Sequence, residues 1–470
     1  MSAGRAAAPR WVLPALIVLS LATAAILAVV LATTFVRVPL ISNEGWSAIH
    51  ARHALAGGNL YTPNGYGNFP NYPPLAFYPV AWLGALIGDM VYSGRVLAIT
   101  GMLIVALNVG TLSQRLGASR SVAVMGAVLY VLLTLTVGRF YAGVSDPQFS
   151  GHALQTLGLL LLTRTLPTPS VPALVSAALL MVLGGLFKNN LVVLPLAVTV
   201  WLALVDRRAL LVWVAAGAAW LGLAMAACYA LFGEAVFAQV LGHERVYTVA
   251  IIPASFRWMT AYLLVAAIGI PTALRLRTPL ARLMLIYFFL AVGIGLLFAG
   301  GVGVNLNTYF DVAIAAVPLA TTVVAALPKM RRVWRLAVYV VAIGTPLYMV
   351  VFTAGPFLQR LGNIETADTY DAALEMIATA DGPVFCREPT WCYWAGRDNH
   401  IDYSNAGQKL SAGPEAVAAF QAWVAANPPV LMQLYDPEGG FIVRSMGAFA
   451  SNYVEVMSTP MRIWVLKADR

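Results

Sequence analysis

The chain has 470 residues, of which 60% are hydrophobic and only 10% charged, against about 25% charged residues in a soluble domain. That balance excludes an ordinary soluble enzyme and marks an integral membrane protein. The formal net charge of +9 comes mostly from short Lys/Arg clusters between apolar runs, which sets topology and argues against a nucleic-acid partner.

The first apolar run, Trp11 to Val36, follows Arg5 and Arg10. It exceeds the roughly 7 to 15 residues of a cleavable signal core, so it reads as a retained helix. A spanning helix needs about 20 largely apolar residues, and counting such runs against the basic clusters gives eleven crossings. They lie near residues 11–36, 94–113, 121–138, 150–164, 171–187, 190–205, 210–232, 257–274, 281–299, 308–327 and 335–354. The clusters at Arg115/Arg120, Arg164, Arg207/Arg208, Arg275/Arg277/Arg282 and Lys329 to Arg335 then face the cytoplasm with the N-terminus. The C-terminus lies outside. Parity keeps the run from Leu75 to Ile87 from crossing, so it is expected in the outer interface, entered through Tyr72-Pro73-Pro74.

This sorting leaves the loops at 37–93, 139–149, 233–256 and 300–307 on the outer side, together with the turn Lys188-Asn189-Asn190. All five histidines fall there or at helix ends facing it. Near Pro356 the composition changes: Asp368, Asp371, Glu375 and Asp381 arrive together and apolar runs shorten. The expected organisation is therefore an all-α polytopic membrane domain over 1–355 and a small extracytoplasmic α/β domain over 356–470. The latter should hold helices at 370–380 and 414–426 and strands at 384–386, 430–435, 453–457 and 463–467. Ser458-Thr459-Pro460 supplies a hairpin turn between the last two strands. Cys228 lies mid-run and reads as a small apolar residue, whereas an oxidising exterior would let Cys386 and Cys392 pair.

Candidate chemistry gathers in the first outer loop. Glu44 stands between Asn43 and Trp46, with His50, His53, Arg52 and Tyr72 nearby. As an ordinary residue Glu44 would be a solvated acid near a helix N-terminus capped by Ser42 or Asn43; as a functional one it would be a general base. His50 and His53 share a helical face and with Glu44 offer a weak metal set. Without an acidic cluster nearby, hydrogen bonding to a sugar or acceptor ranks above metal ligation, so no metal is assigned. Lys188, Arg139, Arg245, His243 and Arg257 are outer-side cations near helix ends, where a lysine either snorkels or meets an anion. Lys188 is the most suggestive, lying between two apolar runs with no room for an exposed loop. Asp146 forms an Asx turn before Pro147 or serves as a second acid. Asn305 belongs to a polar corner after Gly300-Gly301-Val302-Gly303, which is not a nucleotide loop because no strand precedes it.

The stretches NEGWSAIHARHALAGGNLYTP (43–63), NYPPLAFYPV (71–80), SGRVLAITGML (93–103), GLFKNNLVVLPLA (185–197) and GVNLNTYFDVA (303–313) resemble, in order, the polytopic GT-C glycosyltransferases of the protein mannosyltransferase and aminoarabinose transferase type. The resemblance implies an inverting transfer at the outer face of a bacterial plasma membrane, from a polyprenyl-phosphate-linked sugar to a hydroxyl on a glycan, lipid or protein, with no further cofactor. It implies a first-loop carboxylate as base. Many relatives have an Asp-Glu pair there with Asp as base, and this chain has Asn43-Glu44, so Glu44 takes the role with Asp146 in reserve. Lys188, Arg245 and Arg139 would hold the donor phosphate. His50, His53, Tyr72, Asn43, His243 and Asn305 would line the acceptor or sugar cleft. The rivals are a transporter or lipid flippase, usually marked by internal repeats, and a lipid-binding scaffold.

Overall fold

The computed structural model describes residues 9–62, 65–67, 69–242, 246–435 and 440–467. Apolar runs become helices because a backbone in hydrocarbon must satisfy its own N–H and C=O groups. The first is α1 (Val12–Ala32), followed by α2 (Asn43–Leu55) and α3 (Tyr78–Ile87). Next come α4 (Met90–Arg115), α5 (Arg120–Thr136), α6 (Gln148–Thr163), α7 (Val171–Phe187), α8 (Val193–Val205) and α9 (Arg207–Phe232). The short α10 (Ala235–Val240) and α11 (Ile252–Ser255) precede α12 (Thr260–Leu276), α13 (Pro279–Ala299), α14 (Phe310–Thr321), α15 (Arg332–Tyr339) and α16 (Thr345–Thr366).

The first nine expected crossings each coincide with a helix to within about four residues; the run at 308–327 is α14 continued by a 3-10 segment, and the run at 335–354 is split between α15 and α16 by a π-helical turn, with α16 running on to Thr366. By length and composition six of them among the described residues are long and apolar enough to span, or seven if the bent pair at 249–276 counts as one. The remaining apolar helices are shorter than the usual span, so eleven crossings is a count that length alone does not give. Close approach replaces bulk hydrophobic force where helices cross. A Cβ on Gly101 of α4 would fall 2.7 Å from the Phe149 backbone carbon of α6, so glycine there sets how near the two helices lie.

The compositional shift at Pro356 falls inside α16, which runs on to Thr366. The polar layer proper starts with α17 (Asp371–Thr379) and continues through α18 (Pro389–Trp394), α19 (Tyr403–Leu410), α20 (Pro414–Ala426) and α21 (Gly440–Ser445). Its sheet contains β1 (Val384–Cys386), β2 (Leu431–Leu434), β3 (Tyr453–Met457) and β4 (Arg462–Leu466) in the order β1-β2-β4-β3. β1 pairs parallel to β2, while β4 runs antiparallel to both β2 and β3. Cys386 and Cys392 form a disulfide joining the end of β1 to α18.

This domain is seated on α2 and the start of α4 by polar latches. Ser42, one of the two residues expected to cap α2, stands at the N-cap but donates its hydroxyl to Glu388 at 2.9 Å and makes no side-chain cap bond. The Trp394 indole donates to Asp89 at 2.9 Å, on the residue whose carboxylate also caps α4. His53 meets Asp398 at 3.0 Å beside Arg52. The hydrogen bond from His53 and the charge of Arg52 hold the Asp398 carboxyl down at about 2. A side chain on Gly45 would overlap the Thr390 backbone, so α2 and α18 touch main chain to main chain there.

Candidate functional site

Two buried carboxylate-cation pairs stand at the end of the helix bundle that meets the polar domain, and they differ in what surrounds them. Glu44 in the first turn of α2 is fully buried against Arg95 of α4. Arg95 donates from Nε to Oε1 at 2.9 Å and from Nη2 to Oε2 at 2.8 Å. Its other N–H groups reach the Thr33, Thr34, Val36 and Val38 carbonyls, where α1 ends and the chain turns. The backbone N–H groups of Leu40 and Ser145 also donate to Glu44. Arg360 of α16 joins the same knot through the Thr33 hydroxyl and the Ala142 carbonyl. Glu44 therefore departs from the expectation: both oxygens are taken by fixed donors, and the side chain lines no cavity. Four chain segments that would each leave polar groups unpaired converge on it, which is what a buried ion pair needs to be tolerated.

The second pair opens onto space. Lys188, at the C-terminal end of α7, places its ammonium 2.9 and 3.0 Å from the two oxygens of Asp146. It lies 4.9 Å over the Tyr72 ring and 6.0 Å from Tyr141. The Asn307 amide, turned with its oxygen toward the ammonium, accepts at 3.1 Å, and its nitrogen reaches the Asn305 carbonyl. Asp146 is fixed by the backbone N–H of Gln148 at 2.9 Å. Behind it Gln148 contacts His152 at 2.9 Å, and His152 lies 3.9 Å from Asp311.

Lys188 lines a cavity of about 510 Å³ with Asn43, Tyr72, Asn190, Asn305 and Asn307. Two further spaces adjoin it. Toward the helices, an apolar groove of about 610 Å³ runs between α7, α8 and α9, and Asn189, Val240 and Leu241 line both it and the cavity. Toward the polar domain, a chamber of about 490 Å³ shares Asn43, Asn71, Tyr72 and Gly303 with the cavity and is closed by Arg387, Asp402 and one face of α19.

The other expected residues divide. Asn43, Tyr72, Asn305 and Lys188 come together at the cavity, and Asp146 stands one contact behind it. His50 is wedged between the Trp46 and Phe77 rings, at 4.8 and 5.2 Å, and lines no cavity. Burial, aided by the neighbouring His53, pushes its pKa down to about 3, so it is a neutral core residue, not an acceptor ligand. His53 serves the Asp398 latch instead. Arg139 folds over the Phe140 ring at 4.5 Å and does not reach the cavity. His243 and Arg245 lie outside the described residues. With Glu44 turned to Arg95 and His53 turned to Asp398, the three side chains do not form the metal set weighed from spacing.

Arg95, Gln148, Arg387 and Asp402 carry roles that the sequence does not single out, whereas Asn307 belongs to the polar corner that it does. Arg95 alone carried a signal, being a charge inside an apolar run, where such residues are seldom idle. Asp402 accepts from the Asn405 N–H at 2.9 Å and also from the Trp46 indole and the Ser404 and Phe69 N–H groups. Burial nevertheless raises its pKa to about 6.

No protein-family model matches this chain, and no curated protein matches it in sequence. Solved structures do match in fold. The apo ArnT of Cupriavidus metallidurans superposes with a TM-score of 0.62 at 14% identity, covering 95% of this chain and 99% of that one. The same protein bound to undecaprenyl phosphate gives 0.59 at 15%, with the same coverage. An Archaeoglobus fulgidus oligosaccharyltransferase tethered to an acceptor peptide gives 0.57 at 13%, covering 97% of this chain and 74% of that one. The chain is a polytopic helical membrane protein of GT-C-like fold with a small α/β domain after its last long helix. At these identities the likeness is one of architecture, and the chemistry must be argued from the site.

Proposed function

We propose that the protein is a membrane glycosyltransferase that takes a sugar from a polyprenyl-phosphate carrier and delivers it to a hydroxyl at the outer face of a bacterial plasma membrane. The observation that carries this reading is the continuity of a cationic cavity with an apolar groove. The groove offers a prenyl chain a lining almost without polar atoms, and the cavity offers its phosphate the Lys188 ammonium. The ArnT neighbour was solved with undecaprenyl phosphate, which is the ligand class such a pair of spaces suits.

In this mechanism the acceptor oxygen attacks the anomeric carbon and the bond from that carbon to the phosphate oxygen breaks. The electron pair leaves with the polyprenyl phosphate, whose growing charge Lys188 steadies; fixed charges aimed at developing charge are strong contributors to catalysis. Asp146 takes the hydroxyl proton as Lys188 turns from it toward the phosphate, and catalytic contacts of this kind tighten only when substrate is bound. Glu44 is a positioning residue that fixes Asn43 and the Ser145-Asp146 segment. Asn43, Asn305 and Tyr72 line the sugar's path.

The test is transfer of labelled sugar from a polyprenyl-phosphate donor by the reconstituted protein, together with its affinity for undecaprenyl phosphate. Lys188→Gln is expected to lose that affinity. Wild-type binding by this variant, or transport of substrate across vesicles without any glycosylated product, would overturn the reading.

A further inference from the structure

The chamber facing the polar domain contains a cation that the proposed reaction has not used. Arg387 follows Cys386 at the end of β1, and its main chain is held on both sides. Its own N–H donates to the Gln433 carbonyl at 2.9 Å, the next N–H donates to the Gln433 side chain at 3.0 Å, and Asn399 brackets Cys386 through its N–H and carbonyl. The side chain lies flat on Tyr403, with its guanidinium carbon 3.4 Å from the ring centroid, and 5.5 Å from the Tyr435 ring. Among the described residues it has no hydrogen bond and no carboxylate partner. The two acids close by are already engaged: Asp402 accepts from four donors, and Glu388 accepts from Ser42, Thr390 and Tyr435.

A guanidinium stacked on an aromatic ring has one face covered and its N–H edge free, the arrangement that grips a carboxylate or phosphate with two parallel hydrogen bonds. The α19 side of the wall offers partners for hydroxyls, while Trp46, Phe69 and Phe441 give the chamber aromatic faces on which a sugar ring can stack. Tyr403, Ser404, Gly407, Gln408 and Ser411 all face the chamber, spaced three to four apart along α19 and one residue beyond it, as a single helical face requires.

From this arrangement we infer that the chamber is an acceptor site for a polyhydroxylated molecule bearing an anionic group, with Arg387 as the residue that reads the anion. It rests on the glycosyl-transfer reading only for the word acceptor. The anion could be a sugar carboxylate or the phosphate of a lipid headgroup; both present two oxygens to the same fork.

The experiment uses the full chain in neutral phosphatidylcholine nanodiscs and measures affinity for a glucuronate-bearing tetrasaccharide and for its uncharged methyl ester. Wild type is expected to bind the acid about tenfold more tightly, as a charge-assisted contact provides, and Arg387→Gln to bind the two alike. Tyr403→Leu, which removes the platform and leaves the cation, should reduce the preference several-fold. Phosphatidylglycerol added to the nanodiscs competes in an Arg387-dependent way if the headgroup is the source and not otherwise. No preference for either anion in wild type, or a preference that survives Arg387→Gln, overturns the inference. Undecaprenyl phosphate is titrated in parallel. Its binding should be unchanged in Arg387→Gln, which certifies the fold, whereas wild type that fails to bind it while keeping the anion preference refutes the donor reading and leaves the chamber standing.

Discussion

The Glu44–Arg95 and Asp146–Lys188 pairs have the same composition, one acid and one base, and nearly the same burial. Their side chains are 0% and 0% exposed in the first pair and 1% and 5% in the second. What separates them is access to open space. Glu44 and Arg95 spend their hydrogen-bonding capacity on each other and on main chain from the end of α1, the loop before α2 and the loop before α6. Lys188 is met by the Asp146 carboxylate, the Asn307 amide and the Tyr72 hydroxyl, but it borders a cavity. A pair enclosed on every side fixes geometry; one at a cavity wall can exchange a partner for a ligand. Burial by itself therefore does not mark a catalytic acid.

The sharpest way to break the comparison is to neutralise the acid of each pair. Asp146→Asn should lower turnover by about 10² to 10⁴-fold, the range for removing a general base, while the melting temperature of the purified protein moves less than in Glu44→Ala, because the isosteric amide still offers Lys188 an acceptor oxygen. Retention of normal turnover would remove Asp146 from the mechanism. Glu44→Ala should behave in the opposite sense. It strands Arg95 in a dry site and should destabilise the fold by about 3 to 5 kcal/mol, read as loss of folded yield and a lower unfolding midpoint. A well-folded but inactive Glu44→Ala protein would restore Glu44 as a chemical participant.

A smaller effect separates binding from structure. Lys188→Gln should weaken undecaprenyl phosphate by roughly tenfold to a hundredfold, in line with about 1.5 to 3 kcal/mol for a hydrogen bond to a charged group, as measured by titration. Arg139→Gln, whose cation lies over Phe140, should leave that affinity unchanged.

The smallest predicted change concerns pH and the seat of the polar domain. The folded state holds Asp402 at about 6, above its ordinary 3.8, so between those values the folded chain binds more protons than the unfolded one. Stability contributed by this group is present below about pH 4 and lost as pH rises through about 6. Asp398 has the opposite sign: held at about 2, it contributes stability above about pH 4 that is lost as pH falls toward 2. Asp402→Asn should flatten the loss between pH 4 and 6 while leaving the acid limb intact, seen in hydrogen exchange of α19. An unchanged slope would mean that Asp402 does not couple to the docking of Trp46 and Phe69.

The amino-acid sequence by itself determined where the helices run, because an apolar stretch of sufficient length has few other folds in hydrocarbon. It also showed polar residues gathered at helix ends, and it placed the four strands of the last domain within a residue or two. Lys188, Asp146, Asn43, Tyr72 and Asn305 were legible because polar groups among apolar runs stand out. Only the tertiary structure decided which of them share a cavity. Arg95 lies 51 residues beyond Glu44, and no local pattern tells an acid near a helix start that a cation on another helix will claim both its oxygens. Arg387 and Asp402 were hidden for the same reason, since they matter only once the polar domain is seated against α2. Side-chain partnership is set by the angle and depth at which elements pack, and those are properties of the whole assembly of helices.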